Sequence, residues 1–442
     1  MHIIQNHFKV PVENGECILI HTLTAAMFVL GEEEYTTFCQ WEESGVIEPH
    51  SAREDELLTK LQENKFILDD PESEADLEEQ TLQRSKEIHE KRRSTLDGAT
   101  FVLTYACNFA CPYCFENDAD DRSSARMTAG MVDRIFQLHD DPIKTISLFG
   151  GEPLLPGNEN IIRYIISKSP NANYTVTTNG YYLEEYYPLL SGLNTCEIIV
   201  TFDGKEEIHN RTRVLRNGKG TYTKIIKGME LFIKHGNRVG IRMNISHDNI
   251  DSCMALKKEL SETYYEAYEK GTLIFEMQPL FASSDVARGD LEKRLYFPAL
   301  SGNGRRPVQD RDNAMSRALS PILSVFSRPK KFRPLYSHCN AESNLRFYDA
   351  DGYIYSCILS LGKKNAAIGR YYPVVEMKEC SMLYRNIETI PECKACKLKF
   401  LCGGGCANAA ADENGNVMRP YCGQLKYEIE HMLPALYARY RK

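Results

Sequence analysis

The chain carries one tryptophan in 442 residues, no uninterrupted apolar run long enough to cross a bilayer, and no excess of positive charge. Each shortage removes a class of function. A spanning helix needs about 20 consecutive apolar residues, so no membrane partner is expected. A net charge of -8 gives no electrostatic ground for a nucleic-acid partner. The opening segment MHIIQNHFKVPVENGE lacks the apolar stretch of a secretion signal. A cytoplasmic location is therefore expected, where thiols stay reduced and serve as metal ligands more readily than as disulfides. With 26% charged and 43% hydrophobic residues, the composition is that of a soluble globular protein with room for two or three domains.

Cysteine, by contrast, is plentiful. Ten of fifteen fall in two spaced groups. The first is Cys107, Cys111 and Cys114 in CNFACPYCF, flanked inside by Tyr113 and after by Phe115. Three close thiolates can hold three corners of a [4Fe–4S] cube and leave one iron open. Zinc is the alternative, but it needs a fourth ligand, and structural zinc sites usually use paired two-cysteine knuckles. The second group is Cys339, Cys357, Cys393, Cys396, Cys402, Cys406 and Cys422. A zinc ribbon would use Cys393 and Cys396 and leave the other five without a role. Cys17, Cys39, Cys196 and Cys253 lie in strand or helix patterns and read as packing residues, as does Trp41.

Residues 1–70 contain alternating apolar segments (17–30) and two amphipathic stretches, predicting a small winged-helix-like module; an irregular cap on the next domain is the alternative. Residues 71–97 are highly charged and predict a solvated connecting helix. From 98 to 300 the pattern alternates strand and helix, with strands at 100–106, 145–149, 174–178, 197–202, 239–245 and 273–280. Buried β-branched strands separated by helices argue for a parallel sheet. Six units fall short of a complete barrel, so the expected fold class is α/β, a partial (β/α)6 TIM barrel. Chemistry in such folds sits at the C-terminal strand ends. Cys107, Gly150, Asn179 and Asp203 all follow strands. Residues 301–335 read as an irregular connection, with SGNGRRPVQDRD expected to be mobile, and 336–442 as a cysteine-rich domain.

These motifs resemble the radical S-adenosylmethionine (SAM) enzymes. The trio is followed by FGGEP (149–153), TTNG (177–180), TFDG (201–204) and HNRTR (209–213) at successive strand ends, as in that family. The resemblance implies SAM bound to the open iron of a [4Fe–4S] cluster and cleaved to a 5′-deoxyadenosyl radical that removes a substrate hydrogen. It implies SAM contacts from Tyr113, Phe115, Gly150, Gly151, Glu152, Pro153, Asn179, Thr201, Asp203, Arg213 and Gln278. Glu152 and its backbone neighbours would hold the amino group. Arg213 would grip the carboxylate through a bidentate pair, with Arg211 and Arg216 as ordinary surface charges. Met277 and Gln278 would line the adenine side or belong to the core and strand end. His209 reads as a structural part of its motif.

The second cysteine group resembles the SPASM extension, which carries two auxiliary [4Fe–4S] clusters. Carried over, Cys393, Cys396, Cys402 and Cys422 hold cluster II, and Cys339, Cys357 and Cys406 hold cluster I. Three thiolates leave cluster I either open at one iron or completed by Cys380. An open iron could bind a substrate thiol and deprotonate it. Ile358 follows Cys357 where sulfatase maturases carry an acidic residue. Together with the N-terminal module, this resembles ribosomal-peptide maturases whose module pairs a precursor's leader to a sheet edge within 17–30. The expected activity is a thioether crosslink from a substrate cysteine, with a flavodoxin- or ferredoxin-type electron donor. Carbon–carbon crosslinking, epimerisation and formylglycine formation are alternatives within the family. A non-enzymatic metal-bearing protein is the alternative outside it, and leaves FGGEP beside the trio unexplained.

Overall fold

Runs rich in β-branched residues do become strands, and the apolar stripes between them become helices. The computed structural model describes residues 1–93, 98–118, 124–193, 195–280, 332–339, 341, 346–427, 429–430 and 433–440. They divide into two units. The first joins residues 1–93 to 332–339 and to the described residues from 384 onward; the second holds 98–280 with 341–383. The segment expected to be mobile, 301–312, lies outside the described residues.

In the first unit, β1 (His2–Ile3) pairs antiparallel with a later strand, and β2 (His7–Pro11), β3 (Cys17–His21) and β4 (Met27–Leu30) form an antiparallel sheet in that order. Helices α1 (Glu32–Ser44) and α2 (Ala52–Glu63) follow, then β5 (Ile67–Leu68), the partner of β1. Local chemistry sets the helix ends. The Glu34 carboxylate accepts the Gly31 amide at 3.0 Å, and Ser51 caps α2 by accepting the Glu54 amide at 3.3 Å. Leu19, Leu30, Phe38, Trp41, Leu57, Leu61 and Phe66 make the core.

The charged stretch after this module is α3 (Pro71–Arg93), and it is not solvated all round. Glu74, Thr81 and Ser85 are buried. The Glu74 carboxylate accepts the backbone amides of Gln5 at 2.9 Å and Asn6 at 2.8 Å, so a charged-looking helix carries an inward acid. A polar residue can occupy a buried face when its hydrogen bonds are met there.

The second unit is built on six parallel strands in sequential order: β6 (Gly98–Val102), β7 (Thr145–Phe149), β8 (Asn173–Thr178), β9 (Cys196–Phe202), β10 (Arg238–Ile245) and β11 (Leu273–Pro279). Between them lie α4 (Ala129–Gln137), α5 (Glu159–Lys168), α6 (Leu183–Leu190), α7 (Glu206–Thr212), α8 (Tyr222–Lys234), α9 (Ile250–Thr263) and α10 (Tyr265–Glu269). Each larger helix buries one stripe, for example Ile225, Met229 and Phe232 of α8. The sheet is open, as six units require.

Four strands were not foreseen. β12 (Phe347–Asp349) pairs parallel with β6, and β13 (Tyr353–Tyr355), β14 (Gly369–Arg370) and β15 (Glu376–Met377) extend the sheet antiparallel to ten strands. The stretch read as one cysteine-rich domain, 336–442, is thus shared: 341–383 goes with the barrel strands and 384 onward with the N-terminal residues. The latter part holds α11 (Pro391–Lys394), α12 (Lys399–Cys402), α13 (Ala407–Asn414), α14 (Gly423–Tyr427) and α15 (Leu433–Tyr440). Helix α15 packs on β2, where Tyr437 donates to Glu16 at 3.2 Å.

Candidate active site

Strand β6 stops at Val102, and the chain then turns across the C-terminal ends of its neighbours. The Thr104 hydroxyl donates to the Ala125 carbonyl at 2.8 Å and accepts the Ala106 amide at 3.1 Å, which bends the segment leading to Cys107. The FGGEP turn locks against it: Gly151 N donates to Thr104 O at 2.8 Å and Glu152 N to Ala106 O at 3.0 Å. Only glycine permits that approach. A Cβ at Gly150 (φ +134°) would stand 2.3 Å from Thr104 O, and one at Gly151 2.5 Å from Ala106 O.

Glu152 is fully buried, and its carboxylate is engaged inside the protein. It accepts the Leu154 amide at 2.8 Å, the Thr178 hydroxyl at 2.7 Å and the Asn179 amide at 2.7 Å, joining the end of β7 to the end of β8. Burial pushes its pKa up to about 6, against those three hydrogen bonds. Asn179 passes the connection on. Its side-chain amide donates to Asn108 Oδ1 at 2.8 Å and lies 3.8 Å from Cys107 Sγ. Arg216 also serves the loop: its Nε donates to the Cys107 carbonyl at 2.8 Å, so it is more than a surface charge. Arg211 is exposed and pairs with Glu207.

Beyond Cys111 the polar groups converge. Tyr113 donates to Asp203 Oδ2 at 2.5 Å, Thr212 donates to the same oxygen at 2.7 Å, and Arg213 donates to the Tyr113 oxygen at 3.0 Å. Arg213 is held from behind, where the Thr221 hydroxyl donates to its carbonyl at 2.6 Å and contacts buried His209 at 3.1 Å. Three buried atoms here have no protein partner: Asp203 Oδ1, Arg213 Nε and Asn108 Nδ2. Such atoms are costly unless a ligand meets them. Two donors and one acceptor beside three cysteines fit an amino-acid carboxylate and a hydroxyl or ammonium group.

Other expected contacts fall elsewhere. Phe115 stacks on Phe149, centroids 6.5 Å apart, and packs with Val102, Tyr105 and Phe347 in an apolar cluster. Pro153 turns the chain, its carbonyl accepting from Asn158 at 3.0 Å. Thr201 is buried on β9 opposite Arg242, and Gln278 lies on β11 opposite Asn244. Met277 is a core residue. Asn108, Thr178 and Thr212 were missed, for single polar residues beside a motif carry no spacing signal.

Within each cysteine group the thiols feel one another. Burial raises the Cys111 thiol, Arg213 opposes this, and Asp203 and Cys114 add to it. Burial likewise pushes Cys402 up to about 12, with Cys393, Cys422 and Cys396 contributing. Among the described residues no three His, Cys, Asp or Glu side chains converge closely enough for one metal ion. Closely spaced thiols of this kind are the donors an iron–sulfur cluster takes. Cys339 and Cys406 belong to the first unit, Cys357 and Cys380 to the second.

Residues 101–260 match the Radical SAM superfamily, so this chain contains a radical SAM domain, which implies SAM and a [4Fe–4S] cluster. Among characterised relatives, it is 24% identical over 359 residues to a cysteine-type anaerobic sulfatase-maturating enzyme of Clostridium perfringens, covering 75% of this chain and 94% of that one. The solved structure of native anSMEcpe with bound AdoMet shares the fold at TM-score 0.56 and 20% identity, over 78% of this chain and 100% of that one. Streptococcus suis SuiB bound to precursor peptide SuiA shares it at TM-score 0.54 and 15% identity, over 96% of this chain and 100% of that one. No helix among the described residues is long and apolar enough to cross a membrane.

Proposed function

We propose that this chain is a radical SAM peptide maturase that closes a sulfur-to-carbon thioether in a ribosomally made precursor. The observation that carries the peptide substrate is the outer edge of β4. In this sheet β3 is interior and α15 packs on β2, which leaves β4 as the edge within 17–30. Among the described residues β4 has one strand neighbour, and beside it runs a groove of about 290 Å³ lined by Met27, Phe28, Leu57, Lys60 and Asn64. An extended leader can add there as a fourth strand, its apolar side chains meeting Met27, Phe28 and Leu57 and its polar ones Glu34, Lys60 and Asn64. The likeness to a precursor-bound maturase over 96% of this chain supports the reading.

When bound, the cluster and SAM supply a deoxyadenosyl radical that removes a hydrogen atom. Cys107, Cys111 and Cys114 hold that cluster. Arg213 Nε and Asn108 Nδ2 meet the SAM carboxylate, and Asp203 Oδ1 meets a ribose hydroxyl; Tyr113, Thr212 and Asn179 orient them. Because the Glu152 carboxylate is engaged, the SAM amino group falls to backbone carbonyls of the 150–153 turn. Cys393, Cys396, Cys402 and Cys422 hold one auxiliary cluster. The assignment of Cys339, Cys357 and Cys406 to another rests on sequence pattern alone. With these groups bound, thioether closure would move the acceptor carbon's hydrogen to the nucleoside and the substrate thiol's proton to solvent, and a cluster on Cys393, Cys396, Cys402 and Cys422 would supply an acceptor for the surplus electron. A low-potential flavodoxin or ferredoxin type donor restores the SAM-binding cluster.

Formylglycine formation is the second reading, favoured by the sulfatase-maturating relative; Ile358 stands against it. Reconstituted protein with SAM, reductant and a precursor peptide separates the two. Loss of two hydrogens with one fewer alkylatable cysteine supports the thioether, and loss of sulfur supports the aldehyde. Deoxyadenosine without any peptide change rejects that substrate, and removing the leader should abolish modification.

A further inference from the structure

Arg385 is 1% exposed, one of the largest fully buried side chains of the molecule. Its Nε donates to Val417 O at 2.6 Å, one terminal nitrogen to Gly405 O at 2.6 Å, and the other to Gly404 O at 2.6 Å and Arg419 O at 3.0 Å. All four partners are backbone carbonyls, and among the described residues no carboxylate pairs with the charge. A buried cation is expensive without a counter-charge nearby. The four carbonyls belong to the loops next to two of the quartet: Gly404 and Gly405 follow Cys402, and Val417 and Arg419 precede Cys422.

The glycine run is shaped to the same end. Gly403, Gly404 and Gly405 all have positive φ, at +66°, +88° and +74°. A Cβ at Gly405 would stand 2.0 Å from Tyr421 O, beside Cys422, and one at Gly404 3.3 Å from the Arg385 guanidinium. Bare backbone therefore wraps the arginine and sets the two cysteine loops around it.

We propose that Arg385 is the built-in counter-charge of an iron–sulfur cluster on Cys393, Cys396, Cys402 and Cys422, raising its reduction potential and positioning its ligand loops. This rests on the cluster assignment made above. A cube with four thiolates is a net anion, and reduction adds one more negative charge, so a fixed cation favours the reduced form. Cluster potentials respond to net charge and burial. Arg385 is a positioning and tuning residue and touches no substrate.

The test uses the full chain with the first trio replaced by alanine, so that only auxiliary clusters remain, and follows their spin signals during potentiometric reduction. C393A/C396A should remove the irons of one cube and one signal; if neither is lost, the cluster assignment itself fails. With that signal identified, R385Q should lower its potential, shifting the reduced-to-oxidised ratio at least tenfold, 59 mV for a one-electron couple, while any other auxiliary signal stays fixed. If R385Q does not fold, R385K replaces it; a displaced ammonium should lower the potential in the same direction by less. An unchanged potential in whichever variant folds with the cluster intact overturns the proposal. So does an equal shift of every signal, which would report a general structural effect.

Discussion

The two cysteine sites solve the same problem with opposite materials. Around Cys107, Cys111 and Cys114 the scaffold is made of side chains from successive strand ends: Glu152, Asn179, Asp203 and Arg213. It leaves three buried polar atoms unmet. Around Cys393, Cys396, Cys402 and Cys422 the scaffold is backbone, drawn together by glycines and one arginine whose hydrogen bonds are satisfied by carbonyls. The first is unfinished by design and can receive a ligand. The second is closed.

The sharpest break between them is C111A/C114A. Deoxyadenosine production should fall to background while the C-terminal iron is retained; loss of all iron would show that the sites do not load independently. Next, R213A should weaken SAM binding roughly 10- to 100-fold, the worth of a charge-assisted hydrogen bond, measured by equilibrium titration at unchanged iron content. Conversely G405A, at φ +74° and facing Tyr421 O, should cost on the order of 1–3 kcal/mol. It should lower auxiliary iron in a metal assay and leave SAM affinity alone.

The smallest effect is a pH slope on the barrel side. Burial, helped by Arg213, holds His209 down at about 3 against an ordinary 6.5. The neutral ring is the folded form, so its contribution is complete above about pH 6.5 and is lost as pH falls toward 3. Each group contributes at most about 1.4 kcal/mol per pH unit. H209Q should flatten that part of the urea-unfolding profile, and an unchanged slope would assign acid sensitivity elsewhere.

What could be read from sequence follows the same division. Six strands were legible because β-branched runs are bounded by glycine, asparagine or aspartate turns, and all six lie within two residues of their expected starts. Motif residues at strand ends were legible through position. β12 was not, since FYD is three residues long and its partner is β6, far back in the chain. The buried face of α3 was hidden because Glu74 looks like solvent chemistry until its amide partners are seen. Arg385 was hidden for the same reason, and so were the three hydrogen bonds that tie the Glu152 carboxylate to the ends of β7 and β8.

The return of β12 also has a temporal side. Tyr105, two residues before the first cysteine, donates to Asp349 at 2.9 Å, and Asp349 ends β12. During synthesis β6 to β11 can assemble in order as they emerge, but this bond must wait until the chain has passed residue 349. Contacts between distant residues form late and slowly. A ribosome stalled before that point would hold the cysteine loop by the 150–152 turn, Asn179 and Arg216 alone, so the Tyr105 anchor is the last of its ties to form in the life of the nascent chain.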